Sequence, residues 1–278
     1  MILTAIAILG AVGLFFGIAI ALANRKLRVW EDPRIDVVTS MLPGANCGAC
    51  GVPGCRAFAE LAVAGSKKPA DCNVINADGA SLIAAYLGVD AGAANKRVAR
   101  LLCAGGANVS IRLAEYAGLE SCAAASTVAG GAKGCAWGCL GFGDCEVVCD
   151  YDAITMDENQ LPVVDVAKCT ACGDCVEACP KGLFEIMPME HKLIVQCRSA
   201  LEGDGVLELC QVGCTACGKC ALDGAPGLIT MMRGLPVIDY SRNANASPDA
   251  TRRCPTGAIA WVEGAQLFSR PERVGVLQ

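Results

Sequence analysis

The sequence has a single histidine among its 278 residues, and only 5% of the residues are aromatic. A core built from so few large side chains is small, so we expect bound cofactors to supply part of the folding free energy. Positive charge is not in excess either, because the formal net charge is −5. Without a basic stripe interleaved with aromatic residues, the composition excludes a general affinity for nucleic acid.

Two kinds of catalytic motif are also missing from the sequence. It contains no Gly-rich strand–loop–helix pattern that would hold a phosphate, and no Ser, His and Asp set for nucleophilic catalysis. We therefore expect no catalytic residues and no substrate-converting site within this chain.

Cysteine is what the sequence has in excess, with 20 residues. Many of them are a few residues apart, in runs rich in glycine. Two cysteines separated by two residues rarely form a disulfide without strain, but they readily bind one metal centre. Zinc ribbons show separated cysteine pairs, whereas here a run of four cysteines, residues 169–179, ends in Cys-Pro. The pattern favours iron–sulfur clusters over a disulfide framework and over zinc.

Residues 2–23 are almost wholly apolar and carry no charge. As a helix they span about 33 Å, enough to cross a hydrocarbon core of about 30 Å. Arg25, Lys26 and Arg28 follow, so the positive-inside rule predicts a single-pass anchor (residues 1–24) in the cytoplasmic (inner) membrane, with the rest of the chain on the cytoplasmic side. The alternative is a signal peptide cleaved after Ala23, but no positive residue precedes the run, which exceeds an ordinary signal-peptide apolar region.

A predicted linker, residues 25–42, leads to a small helical module, residues 43–78. Its cysteines follow the pattern C-x2-C-x4-C-x16-C and are Cys47, Cys50, Cys55 and Cys72. Four thiolates are what one [4Fe–4S] cube needs, and the intervening glycines leave backbone N–H groups free near the sulfides. The alternative is four reactive or structural thiols.

Residues 131–190 carry two further cysteine runs and predict a ferredoxin-like unit with two clusters. In two-cluster ferredoxins the fourth cysteine of each run ligates the other cluster. This rule assigns Cys135, Cys139, Cys145 and Cys179 to one cube, and Cys149, Cys169, Cys172 and Cys175 to the other. Between the runs, residues 153–156 and 161–165 predict a short β-hairpin.

Residues 191–263 repeat this unit with one cluster missing. Cys145, Pro162 and Cys179 have counterparts at Cys220, Pro236 and Cys254. Gly224 stands where Cys149 would recur, and residues 243–249 contain no cysteine where three would recur. The missing positions all belong to one cube. The remaining set, Cys214, Cys217, Cys220 and Cys254, predicts one cluster in this unit.

The sequence thus predicts an α+β protein with a transmembrane helix, a helical module, two ferredoxin-like units and four [4Fe–4S] clusters. A connecting segment (79–130) and a C-terminal tail (264–278) complete the chain. Four cysteines stay unassigned, Cys103, Cys122, Cys197 and Cys210. They are expected to be buried thiols that act as small apolar residues. One alternative is that these four cysteines hold a fifth cube. Another is that some of them replace cysteines assigned above as ligands of one of the four clusters.

The cysteine motifs resemble those of the B subunit of the Rnf complex, the membrane-bound ferredoxin:NAD+ oxidoreductase. The resemblance covers the anchor, the string from Leu42 to Cys55, and the string Gly134-Cys135-x3-Cys139-Leu-Gly-x-Gly-Asp-Cys145. It implies an iron–sulfur subunit that takes electrons from soluble ferredoxin and relays them toward the flavin- and NADH-binding subunits. The resemblance also implies that this electron flow is coupled to Na+ or H+ transport across the lipid bilayer.

Three other interpretations stay open on the sequence alone. A membrane-tethered polyferredoxin could serve another dehydrogenase. A component of a carbon monoxide or acetyl-CoA system has a similar first module, but no barrel-sized domain follows Cys72 here. A metal-stabilised assembly protein would have no redox role.

Overall fold

The computed structural model describes residues 2–27 and 31–267. The first helix, α1 (Ile2–Leu27), continues past the predicted anchor boundary, and its 26 residues span about 39 Å. Within it, Ile6–Leu27 has a mean hydropathy of 2.6 and none of this stretch is buried against the rest of the chain. The helix is therefore long and apolar enough to cross a membrane. Arg25 and Lys26 lie in its last turn, whereas Arg28 lies outside the described residues.

Three helices form the first module, α2 (Arg34–Met41), α3 (Cys55–Val63) and α4 (Ala77–Leu87). Phe58 and Ile83 are almost completely buried in its core, together with Val38 and Leu42. The residues expected to form a linker therefore include a helix that closes this core. The helix α4 begins at the end of the predicted module, but residues 79–87 of it lie in what was predicted to be a connecting segment. Its first turn is capped by Asn76, whose side chain accepts a hydrogen bond from Gly79 N.

The first ferredoxin-like unit is built from short elements around two antiparallel strand pairs. Its elements are β1 (Arg97–Leu101), α5 (Cys122–Ser126), α6 (Asp144–Val147), β2 (Ile154–Met156), β3 (Pro162–Val164), α7 (Asp174–Ala178) and β4 (Phe184–Pro188). The hairpin of β2 and β3 was predicted and is confirmed. Strand β1 pairs with β4, so the segment before the cysteine runs supplies one edge of the unit.

The second unit repeats this pairing. Its elements are β5 (Leu193–Val195), α8 (Gly205–Leu209), α9 (Lys219–Asp223), β6 (Ile229–Met232), β7 (Leu235–Ile238), α10 (Asp249–Arg252) and β8 (Ile259–Trp261). Strand β5 pairs with β8 as β1 pairs with β4, and β6 pairs with β7 as β2 pairs with β3. The predicted internal repeat is confirmed. Buried Leu102, Met187, Ile194 and Val262 pack the two units together.

Different elements occupy the region where the second unit lacks four cysteines. A 3-10 helix (Tyr240–Asn245) and α10 replace the second cysteine run, and Ala250 of α10 is buried. A Cβ atom at Gly224 would lie only 3.1 Å from both Ile229 Cδ1 and Cys220 O. The space that Cys149 occupies in the first unit is therefore closed in the second.

Candidate metal centres

Five cavities in the described part of the chain are each lined by four cysteines, and together they take up all twenty. Each encloses about 320–370 Å³, counted out to its open mouth. We number them by their order in space. Site 1 is lined by Cys47, Cys50, Cys55 and Cys72, Site 2 by Cys149, Cys169, Cys172 and Cys175, and Site 3 by Cys122, Cys139, Cys145 and Cys179. Site 4 is lined by Cys103, Cys135, Cys197 and Cys210, and Site 5 by Cys214, Cys217, Cys220 and Cys254.

Site 1 is formed by the loop before α3 and the turn that carries Cys72. Gly54 at the start of α3 has a φ of 109°, which other residues rarely adopt. The Asn46 side chain crosses the loop, and its Oδ1 accepts a hydrogen bond of 2.8 Å from Cys55 N. The structure thus brings together the four cysteines that the first motif predicts.

Site 2 combines Cys149 of the first cysteine run with three cysteines of the second, as the crossed-ligand rule predicts. Cys175 lies on α7, and Cys149 follows α6. Cys149 Sγ accepts a hydrogen bond of 3.4 Å from Ala153 N. Backbone N–H groups directed at ligand sulfurs are a usual means of tuning an iron–sulfur centre.

Site 3 differs from the sequence assignment at one position. Cys139, Cys145 and Cys179 meet there, but the fourth cysteine is Cys122 and not Cys135. The repeat explains the exchange, because Phe142 occupies the position that corresponds to Cys217 of the second unit. A cysteine from outside the run therefore has to complete the site, and Cys135 is directed to Site 4.

Asp144 holds the segment that delivers Cys122, a role that the motifs do not indicate. Its carboxylate accepts hydrogen bonds from Cys122 N (2.8 Å), Ala123 N (2.9 Å) and Ser121 Oγ (3.0 Å). Asp144 itself begins α6, one residue before Cys145. One carboxylate thus ties together two separate parts of the Site 3 wall.

Site 4 contains three of the cysteines that the motifs left unassigned. Cys103 and Cys197 each come two residues after a strand, β1 and β5 respectively. Cys135 and Cys210 hold equivalent places in the repeat, since the interval between them equals that from Cys145 to Cys220. The internal repeat is the signal that could have indicated this site, if the comparison of the two units had included every cysteine and not only those in the motifs.

Site 5 brings together the four cysteines predicted for the second unit. Cys220 is buried on α9, whereas Cys217 is exposed. Cys254 Sγ lies 3.9 Å from Thr256 Oγ1. Site 5 therefore has one exposed cysteine, whereas Site 3 has none.

Curated proteins match this chain over more than nine tenths of its length. The chain is 41% identical over 259 residues to the B subunit of the Na(+)-translocating ferredoxin:NAD(+) oxidoreductase complex of Acetobacterium woodii, covering 93% of this chain and 78% of the relative. The chain belongs to the Rnf B-subunit family. It is also 36% identical to the B subunit of the ion-translocating oxidoreductase complex of Methanosarcina acetivorans, over 93% of this chain and 98% of that protein. The corresponding protein of the proton-translocating complex of Clostridium ljungdahlii is 37% identical, over 92% and 91% of the two chains.

Two family models match parts of this Rnf B-subunit chain. A model for an Fe-S cluster matches residues 42–74, which hold all of Site 1. A model for a 4Fe-4S dicluster domain matches residues 135–183, which hold all of Site 2 and most of Site 3. Cys122 lies outside that match, as do Cys103, Cys197 and Cys210.

The spacing of the thiols fits a cluster better than a single ion. A zinc ion needs its four sulfurs about 2.3 Å away, so that they converge on one point. In residues 2–27 and 31–267, no group of three or more His, Cys, Asp or Glu side chains converges in this way. Four thiols spread over the wall of one cavity instead suit a cube that offers one iron to each.

Burial raises the pKa of ten of these twenty thiols, which favours their protonated form before a metal binds. It raises the pKa of Cys139 and Cys175 to about 12 and that of Cys210 to about 11. It also raises the pKa of Cys145. Because iron binds the thiolate, cluster insertion in this Rnf protein releases protons.

Proposed function

We propose that this chain is the iron–sulfur electron carrier of an Rnf complex, receiving electrons from soluble ferredoxin and relaying them to the other subunits. Sites 1, 2, 3 and 5 are proposed to hold one [4Fe–4S] cluster each. When bound, such a cluster accepts and releases single electrons. The observation that carries the proposal is that each of these sites is lined by four cysteines, and fifteen of the sixteen are the ones that the sequence motifs predict.

Direct contacts between neighbouring sites support a relay. The Tyr151 hydroxyl, in the wall of Site 2, donates a hydrogen bond of 3.0 Å to the carbonyl of Ala45, in the wall of Site 1. Asn73 of Site 1 donates one of 2.8 Å to the carbonyl of Thr170 in Site 2. These bonds hold the first module against the first ferredoxin-like unit, so that no solvent-filled gap separates Sites 1 and 2 at these contacts.

Sites 2 and 3 share one core. Cys145 and Cys169 are both buried in it, together with Leu161 and Leu183. The helices α6 and α7, which carry Cys145 and Cys175, pack against each other. Such packing fixes the separation of the two ligand sets.

The partners follow from the names of the relatives. Two of them are subunits of a ferredoxin:NAD(+) oxidoreductase complex, one translocating Na(+) and the other protons. We therefore propose ferredoxin and the remaining Rnf subunits as partners, with either ion as the transported one. The lipid bilayer is the proposed environment of α1, whose described apolar side chains are exposed.

The proposed orientation places the cysteine-rich body on the cytoplasmic side. Arg25 and Lys26 lie in the last turn of α1, between the apolar stretch and this body, and positively charged residues beside a membrane span favour the cytoplasmic side. Protease treatment of inverted membrane vesicles tests it. The body should be digested in inverted vesicles and protected in right-side-out ones. The opposite pattern would contradict the orientation.

Electron transfer from ferredoxin tests the function itself. The oxidised full chain, purified in detergent without oxygen, is mixed with chemically reduced ferredoxin, and the visible absorbance of both proteins is followed. We expect the chain to become reduced as the ferredoxin is reoxidised. NADH alone should reduce it far more slowly, because the chain has no nucleotide motif. A chain that dithionite reduces but ferredoxin does not would contradict the proposed partner.

A further inference from the structure

We infer that Site 4 holds a fifth [4Fe–4S] cluster, which joins the two ferredoxin-like units into one series of sites. The inference rests on the proposed function, because it extends the same relay. It concerns Cys103, Cys135, Cys197 and Cys210, three of which lie outside both family matches.

The cavity itself has the features of the other four. It encloses about 350 Å³, within the range of the others, and Cys103, Cys135 and Cys210 are buried in its wall. A Cβ atom at Gly105 would lie 3.0 Å from Cys210 Sγ and 3.7 Å from Cys103 Sγ. A side chain at this position would crowd the Cys210 thiol, and glycine leaves it room. Four thiols that served merely as small apolar residues would pack against one another instead of surrounding a space.

The two halves of Site 4 are related by the internal repeat. Cys103 Sγ accepts a hydrogen bond of 3.4 Å from Cys139 N, and Cys197 Sγ accepts one of 3.4 Å from the equivalent Cys214 N. The carbonyls of Cys135 and Cys210 accept hydrogen bonds from Gly138 N and Gly213 N, which are also equivalent. Each unit therefore contributes two cysteines in the same local geometry.

These hydrogen bonds also define where Site 4 lies. Cys139 is a Site 3 cysteine and Cys214 is a Site 5 cysteine, and the N–H group of each is directed at a Site 4 sulfur. Site 4 is thus in direct contact with both neighbours. Among the described residues, no other four-cysteine cavity lies between the first ferredoxin-like unit and Site 5.

Positive charge in the wall favours an anionic group there. Lys133 and Arg198 both line Site 4. The Lys133 ammonium donates hydrogen bonds to the carbonyls of Gly105 and Cys139, which fixes it beside the cysteines. A cube held by four thiolates is an anion, and its negative charge grows on reduction. This side chain lies where it would offset that charge.

Iron and acid-labile sulfide in the anaerobically purified full chain give the first test. Five cubes require about twenty of each per chain, whereas four require about sixteen. A triple variant, Cys103→Ala with Cys197→Ala and Cys210→Ala, should fall to about sixteen and keep the circular dichroism of the wild type. A wild-type content of about sixteen, or a folded triple variant that keeps the wild-type content, would overturn the inference.

Two further substitutions in the triple variant separate the ligand assignments. Adding Cys135→Ala should remove no more iron, because its site is already lost, whereas adding Cys122→Ala should remove iron from Site 3. If Cys135→Ala removes more iron and Cys122→Ala does not, Cys135 and not Cys122 is the fourth ligand of Site 3. If the triple variant does not fold, Cys122→Ala and Cys135→Ala in the wild-type chain give the same comparison, since each should then deplete a different site and the double variant should lose the sum.

The outcome is independent of the test with ferredoxin. A chain that accepts electrons from ferredoxin but holds only about sixteen irons would retain the proposed function and lose the fifth site. A chain that holds about twenty irons but accepts no electrons from ferredoxin would retain the fifth site and lose the proposed function.

Discussion

Asp144 has a counterpart in the second unit that carries the opposite charge. At the equivalent position before Cys220 stands Lys219, which is exposed on α9. The second unit needs no carboxylate there, because Cys217 comes from the run itself. In the first unit Phe142 takes that place, and the distant Cys122 must be held by Asp144. The absence of a cysteine at position 142 is thus linked to a hydrogen-bonded carboxylate two residues later in the same run.

Asp144→Ala is expected to weaken Site 3 specifically. It removes three hydrogen bonds, each contributing about 1 kcal/mol, so iron should be lost to a chelator at least roughly tenfold faster. The rate of iron release from the purified chain measures this. Lys219→Ala is the matched control and should release iron at the wild-type rate. Equal rates in the two variants would contradict the role given to Asp144.

Lys133→Met is expected to lower the reduction potential of the cluster proposed at Site 4. The substitution removes a positive charge beside the site, and the change should be on the order of tens of millivolts. A redox titration followed by electron paramagnetic resonance measures it. Lys168→Met is the control, because Lys168 also donates to a backbone carbonyl, that of Asp152, but lines none of the five sites. An unchanged titration in Lys133→Met would show that the lysine does not tune this cluster.

At the scale of elements, predictions from sequence succeeded where the interacting residues are close in the chain. The β2–β3 hairpin joins residues a few positions apart, and its repeat follows from the same pattern. The pairing of β1 with β4 joins Leu101 to Phe184, and no local pattern specifies that partner. The exchange of Cys122 and Cys135 has the same origin, because spacing within a run cannot reveal a cysteine that arrives from another segment.

The helix α1 is expected to be separable from the rest of the molecule. None of its stretch Ile6–Leu27 is buried against the rest of the chain. Deleting residues 1–27 should therefore move the protein from the membrane to the soluble fraction while its iron content stays unchanged. Fractionation with iron analysis checks this. Loss of iron in the truncated chain would show that α1 contributes to the cluster-binding fold.

At the scale of the whole molecule, the five sites follow one another through contacting walls. Hydrogen bonds link Site 1 to Site 2, a shared core links Site 2 to Site 3, and ligand backbones link Sites 3 and 5 to Site 4. The second unit has lost one complete site, and its remaining site still touches Site 4. The site that the second unit lacks is the counterpart of Site 2, and it is not needed to connect Sites 1 to 5.

A map of the iron atoms tests the central claim most directly. Anomalous diffraction at the iron edge, from crystals of the full chain grown without oxygen, should show five compact iron peaks, one in each four-cysteine cavity. The fourth should lie between Cys103, Cys135, Cys197 and Cys210, with Cys122 bound at the third. Iron in four cavities only, or a third peak ligated by Cys135, would contradict the account.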